Sequence, residues 1–217
     1  MERALSAFGL SINSDYDLID GIWADRPAIP KNEFRPQPVE YSGEETKART
    51  QRILEHLKKK GANATVLTTL DELAWAFNIR NCDVECNPVG VGFGFIGEKE
   101  SVLFTFAEKV NAALQSELQA QGVRVMGYQE IFGYLSALPA SVTVYVDKSR
   151  ISSAVYNALA PHCRQIEGVS VVTMLKSYKN EAELAGVHRS MHRDGVALTR
   201  FFMWLEAALK RGETPTE

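Results

Sequence analysis

From Gly43 to Met174 short β-rich runs alternate with amphipathic helical stretches, most of the latter stopped by a Gly or a Pro. Few folds accept that order. GEETKARTQRILEHLKKKG carries acids first and bases last before Gly61, which suits a helix macrodipole and a glycine stop. ATVLTT then reads as a strand over Thr65–Thr68, and LDELAWAFNIR as a helix with Leu70, Leu73, Ala74 and Phe77 at helical spacing. Runs at Gly92–Ile96 and Ser101–Phe106 flank Glu98-Lys99-Glu100, a hairpin tip. AEKVNAALQSELQAQG is a helix, VRVMG a strand, YQEIFGYLSALP a helix ended by Pro139, VTVYVD a strand, ISSAVYNALAP a helix and SVVTM a last short strand. This order, β-α-β-β-α-β-α-β-α-β, specifies an α/β layer protein with a mixed sheet flanked by helices.

The flanks differ. Before Gly43, Leu5–Leu10 reads as the end of a helix, and Pro27, Pro30, Pro36 and Pro38 follow. Proline fixes φ and removes a donor, so this stretch should be an extended linker. After the last strand, Asn180–Lys210 is one proline-free helical pattern. Leu184, Val187, Met191, Leu198, Phe202 and Leu205 form a stripe on it, widened by Phe201 and Trp204. The expected organisation is a tail and linker over 1–40, a sheet domain over 41–175 and a separate helix over 176–217.

The chain has 217 residues, 24 Lys+Arg against 27 Asp+Glu and a formal charge of −3, which argues against a nucleic-acid binder. No apolar run approaches the roughly 20 residues of a membrane span. MERALSAFGL lacks the basic start and long apolar core of a secretory signal, and three cysteines are too few for a disulfide scaffold. A reducing, cytoplasmic location is expected.

Local motifs are thin. Gly92-x-Gly94-x-x-Gly97 spells a dinucleotide fingerprint, but its glycines lie inside a strand-like run with no helix opening after them; close sheet packing is the better reading. Cys82 and Cys86 find no further pair to complete a zinc site, and Cys163 beside His162 is too little. His188 and His192 share a helix face, but Arg189 stands where a zincin needs Glu. His192-Arg193-Asp194 spells a kinase triplet, with Thr199 in place of its Asn. Asp71-Glu72 open a helix, where acids suit the dipole. No complete nucleophile, metal or phosphate constellation is present, so catalytic and metal-ligating residues are both expected to be none.

Three longer segments say more. LDELAWAFNIRNCDVECNPV, over Leu70–Val89, resembles the middle domain of the three-domain Xaa-Pro aminopeptidases through Asp71, Glu72, Trp75, Asn78, Arg80, Asp83, Asn87 and Pro88. Asn81 replaces the glycine usual there. LIDGIWADRP resembles the family's exit from its first domain through Asp20, Trp23, Arg26 and Pro27. KSYKNEAELAGVHRSMHRDGVALTRFFMWLE is similar to the entry into its catalytic domain through Lys176, Lys179, Asn180, Glu183, Asp194 and Trp204.

The resemblance implies a creatinase/prolidase N-terminal-like fold with a ribonuclease H-like motif. The chain would be a fragment: the tail of a first domain, the whole middle domain, and the first helix of a truncated pita-bread catalytic domain. Two divalent ions, Mn or Zn, would serve the parent enzyme, where they lower the pKa of a water that attacks the carbonyl before proline. Their ligands have no counterpart in this chain. Asn78, Arg80 and Asp83 would face the substrate channel for short Xaa-Pro peptides. The uncovered helix over 180–210 would favour a homodimer. A free-standing α/β binding or interaction module without peptidase activity is the alternative, and an amidinohydrolase relative such as creatinase a third.

Overall fold

The computed structural model describes residues 5–13, 18–19, 21–159 and 161–216, which fall into two compact units, Met1–Pro30 and Lys31–Glu217. Asp20, matched above, lies outside the described residues, as does Ala160 of one expected helix. In the first unit, Leu5–Leu10 turns back on itself, with Gly9 at φ +71°, and Arg26 stacks over the Trp23 ring at 5.8 Å.

The second unit carries a 6-stranded sheet among the described residues. Its strands are β2 (Ala64–Leu67), β4 (Phe93–Gly97), β5 (Ser101–Thr105), β6 (Val123–Gly127), β7 (Thr143–Val146) and β8 (Arg164–Glu167), in the order β6-β5-β4-β2-β7-β8. Only β4 runs against the rest: β2 and β5 flank it antiparallel, whereas β5·β6, β2·β7 and β7·β8 are parallel. Separately, β1 (Arg35–Pro36) pairs antiparallel with β3 (Ile79–Arg80).

Side-chain alternation along the strands builds two cores. On one face Leu67, Ile96 and Leu103 pack with α2 (Thr46–Lys59), α3 (Leu70–Ala76), α4 (Ala112–Ala120) and α7 (Val171–Ser177). On the other, Phe95, Val102, Phe104 and Val144 pack with α5 (Glu130–Ser136) and α6 (Ser153–Ala158). Gly92 and Gly94 belong to the first face. A Cβ at Gly94 would meet Leu73, Leu67 and Phe77 at 3.0–3.1 Å, so these glycines let α3 approach the sheet. No helix opens after them, since β5 follows.

Four details differ from the expectations. The SVVTM run is α7, not a strand: the Ser170 hydroxyl accepts from Thr173 N–H, and Val171, Val172 and Leu175 turn inward with helical spacing. The last strand is β8, whose sequence RQIE lacks the apolar signature of a strand. The helix begun at Leu70 ends at Ala76, because Asn78 takes φ +50°, a region Asn tolerates, and sends Ile79–Arg80 into β3. The proline-rich stretch is extended only to Pro38; Val39–Ser42 then forms the one-turn helix α1, and Phe34 is buried in the core.

The last element is α8 (Glu181–Lys210), a 30-residue helix. Its N-terminus has a capping box: Asn180 Oδ1 accepts from Glu183 N–H, and the Glu183 carboxylate accepts from Asn180 N–H. Beyond this turn most of its large apolar side chains are uncovered, Met191 being 63% and Phe202 57% exposed, while Leu205 is half-buried and Ala208 buried. Among the described residues no helix is long and apolar enough to cross a membrane.

Candidate functional site

The turn that ends α3 carries the polar residues singled out from the sequence. Asn78 is buried. Its Oδ1 accepts from Arg49 Nη1, its Nδ2 donates to the Glu44 carbonyl at 2.7 Å, and its own carbonyl accepts from Gln37 N–H. Arg49 is buried too. It also donates to the Trp75 carbonyl, to the Ser42 carbonyl at 3.1 Å and to the Glu44 carboxylate at 3.3 Å, and its guanidinium lies 4.3 Å over the Trp75 ring. Trp75 Nε1 donates to Glu183 at 3.3 Å, and Asn180 Nδ2 donates to the Ser42 carbonyl at 2.8 Å. One network therefore joins the end of α1, helices α2 and α3, and the cap of α8. Gly43, at φ +68°, is required here, since a Cβ would sit 2.4 Å from Asn180 Oδ1.

The charges in this network act on one another. Burial raises the Glu44 carboxyl, but hydrogen bonds and charge from Arg52 and Arg49 outweigh it and hold the carboxyl below its usual range. Burial lowers the Arg49 guanidinium, and Glu44 opposes the shift.

Asp83 organises a second cluster. Its carboxylate and the Lys109 ammonium are both fully buried and paired. The same carboxylate accepts from Asn32 N–H and Nδ2, each at 3.1 Å, and from Val91 N–H at 2.7 Å. Asn81 is used here as well. Its Oδ1 accepts from Asp83 N–H at 2.7 Å, and its Nδ2 donates to the Asn32 carbonyl at 2.6 Å.

Arg80 is half-buried; its Nη1 donates to the Ala74 and Ile79 carbonyls at 2.8 and 2.9 Å. Nε and Nη2 have no protein partner among the described residues. Burial and the nearby Arg49 charge both lower its pKa. Thus Asn78 and Asp83 point into separate internal networks and share no partner with each other or with Arg80. Beyond them Cys82, Val84, Glu85, Cys86, Asn87 and Pro88 are exposed, with Cys86 at φ +58°.

A third joint ties α3 to α7. Asp71 pairs with Lys176, and the buried Glu72 accepts from Thr173 Oγ1 and, at 3.5 Å, from Arg150. Sequence reading placed Asp71 and Glu72 as dipole acids and as matching positions of the family segment, without a structural partner. It missed Arg49 and Lys109 altogether, since a basic residue in a polar helix or a loop reads as solvated. The buried carboxylates and half-buried Glu44 all face a cation or a hydroxyl. Among the described residues no three His, Cys, Asp or Glu side chains converge, so the donors present do not fit a two-metal centre.

The profile of the creatinase/prolidase N-terminal domain family matches residues 25–183. A probable Xaa-Pro aminopeptidase P of Coprinopsis cinerea is 34% identical over 95% of this chain and 35% of its own length. Its counterpart in Laccaria bicolor is 35% identical over 93% of this chain and 32% of its own. Among solved structures, the X-prolyl aminopeptidase of Caenorhabditis elegans, described as a cytosolic enzyme with a di-nuclear active site, superposes with a TM-score of 0.90 at 29% identity; it covers 98% of this chain and 35% of its own. The chain spans about a third of the length of these relatives.

Proposed function

Because the chain belongs to the creatinase/prolidase N-terminal domain family, we propose that it is a noncatalytic middle-domain piece of a metal-dependent Xaa-Pro aminopeptidase, which removes an N-terminal residue preceding proline. The carrying observation is the likeness to aminopeptidases P over 95% of the chain, including the stretch that forms α8. On this reading residues 1–40 are the tail of a first domain and a linker, 41–175 the middle domain, and 176–217 the first helix of the catalytic domain. The two divalent ions and their ligands belong to the parent enzyme outside this chain. The cytosol is the proposed location, as stated for the nematode relative.

Asn78, Arg80 and Asp83 have unequal parts in this proposal. Asn78 and Asp83 hold the turn in shape, and Arg80, with one edge of its guanidinium uncommitted, faces the channel along which short Xaa-Pro peptides reach the metals. In the parent enzyme α8 is covered by the catalytic domain; in this chain alone a second copy covers it, giving a homodimer.

The test is direct. The 217-residue chain, purified and supplied with Mn²⁺ or Zn²⁺, should bind no stoichiometric metal pair and release no N-terminal residue from an Xaa-Pro peptide. Elemental analysis showing two bound ions, together with cleavage, overturns it. In a protein joining this chain to its catalytic domain, Arg80→Ala should lower kcat/KM about tenfold, the worth of one charge-assisted contact, while Tm moves little. A drop of several degrees with unchanged kinetics would make Arg80 purely structural.

A further inference from the structure

At the end of the sheet where β2 and β7 begin and the β4–β5 hairpin turns, the C-terminal end of α5 overhangs a half-open cavity of about 320 Å³. It shares no residue with the Asn78–Pro88 loop or with α8. Its volume lies within the range of small-molecule pockets. Phe95, Tyr134, Leu138 and Val142 supply an apolar wall. The Tyr134 ring is fixed edge-on to Phe95 at 5.1 Å and to Phe104 at 5.3 Å, so that wall is preformed.

The rim is charged, and its charges do not cancel. Glu98 pairs with Lys58 at 3.0 Å. Glu100 pairs with Arg124 at 3.0 Å and accepts from Tyr134 O–H at 3.0 Å. Asn63 Nδ2 donates one N–H to the Ser141 carbonyl, and its Oδ1 accepts from Thr143 N–H. The rim side chains without any partner among the described residues are the Lys99 ammonium and the Ser141 hydroxyl. Both can donate, and one carries a full positive charge.

We propose that this cavity binds a small carboxylic acid with an aromatic or branched aliphatic body, the body lying against Phe95, Tyr134 and Leu138 and the carboxylate meeting Lys99. Charge complementarity favours the ligand class: Glu98 and Glu100 are each held by a cation from outside the cavity, whereas Lys99 has no partner among the described residues, so a carboxylate meets the rim's uncommitted charge. An apolar wall with few convergent donors is the usual construction of such a site.

The probe is 3-(4-fluorophenyl)propanoate, titrated into the 217-residue chain and followed by ¹⁹F NMR. A ligand of this size at ordinary efficiency should bind with a Kd of about 1 mM. Replacing its carboxylate by an ammonium group should weaken binding about tenfold, and Lys99→Glu should do the same to the acid. Ala137→Trp, which places an indole at the mouth, should abolish binding. No saturation by about 10 mM, equal binding of acid and amine, or unchanged binding by Lys99→Glu overturns the proposal. Lys99 is exposed on a hairpin tip, so its variant should fold and keeps the test decisive even if Ala137→Trp does not.

Discussion

Arg49 shows how a single buried cation can organise four segments. It gives hydrogen bonds to Ser42, Glu44, Trp75 and Asn78, and no apolar side chain replaces that set. Arg49→Met should therefore destabilise the fold by roughly 3–5 kcal/mol, the range for breaking a buried charged pair from one side. Urea unfolding measures it, and a loss below about 1 kcal/mol would show that the network is slack. Glu44 gives a pH signature. Its carboxyl is held below the ordinary range when folded, so on acidification the unfolded chain takes up the proton first. The stabilisation is complete above the ordinary carboxylate pKa and is lost as pH falls through the depressed folded value. Glu44→Gln should thus flatten the stability profile below about pH 5, leaving the profile above that pH parallel to the parent's. Neither residue stood out in the sequence. GEETKARTQR reads as a solvated helix start, and only the turn at Asn78, distant in the chain, makes its arginine a core residue.

At the level of elements, hydrophobic periodicity located the strands β2, β4, β5, β6 and β7 and most helices to within a few residues, because each buries a face that repeats. It failed where tertiary pairing decides the structure. The edge strand β8 has the sequence RQIE and owes its place to β7, while the β-branched run Val171-Val172-Thr173 became helix α7 under a serine cap. For α8 the legible signal was its proline-free apolar stripe; the capping box, with Asn180 and Glu183 three apart, went unread. Those two also dock the helix, through Ser42 and Trp75. Asn180→Ala removes both functions at once. It should cost about 1–2 kcal/mol, the upper range for an N-cap, and speed amide exchange over Glu181–Leu184 while sheet amides stay protected. Uniform acceleration of all amides would mean that the joint supports the whole fold and not the helix start alone.

Over the whole molecule, family and fold were readable because three separated segments carried matching residues in one order, and eight of those residues prove to be joints. Asp71, Glu72, Trp75, Asn78, Asp83, Lys176, Asn180 and Glu183 each hold one element against another. That they are joints was not readable from their types, since paired and buried polar groups look like site residues until their partners are known. The molecule's largest unmet demand lies in α8. Met191, Phe202, Met203 and Trp204 are each at least 50% exposed, and covering one such side chain is worth about 1.5–3 kcal/mol. Antiparallel self-pairing would bury the stripe and bring Glu181 toward Lys210 of the second copy, forming an isologous two-fold contact. The middle of the helix resists this, because Arg189, Arg193 and Arg200 meet only Asp194 as a compensating charge there. Pairing should therefore be driven by apolar burial and should tighten with added salt, which screens that repulsion. Sedimentation at several concentrations and two ionic strengths is the measurement. A dimer that strengthens from about 0.05 to 0.5 M salt and is lost in Met191→Asp or Phe202→Asp is the expected result. A strict monomer at about 100 µM, where a micromolar Kd would show, eliminates self-pairing. Dissociation on adding salt would mean that the copies meet through charge and not through the stripe.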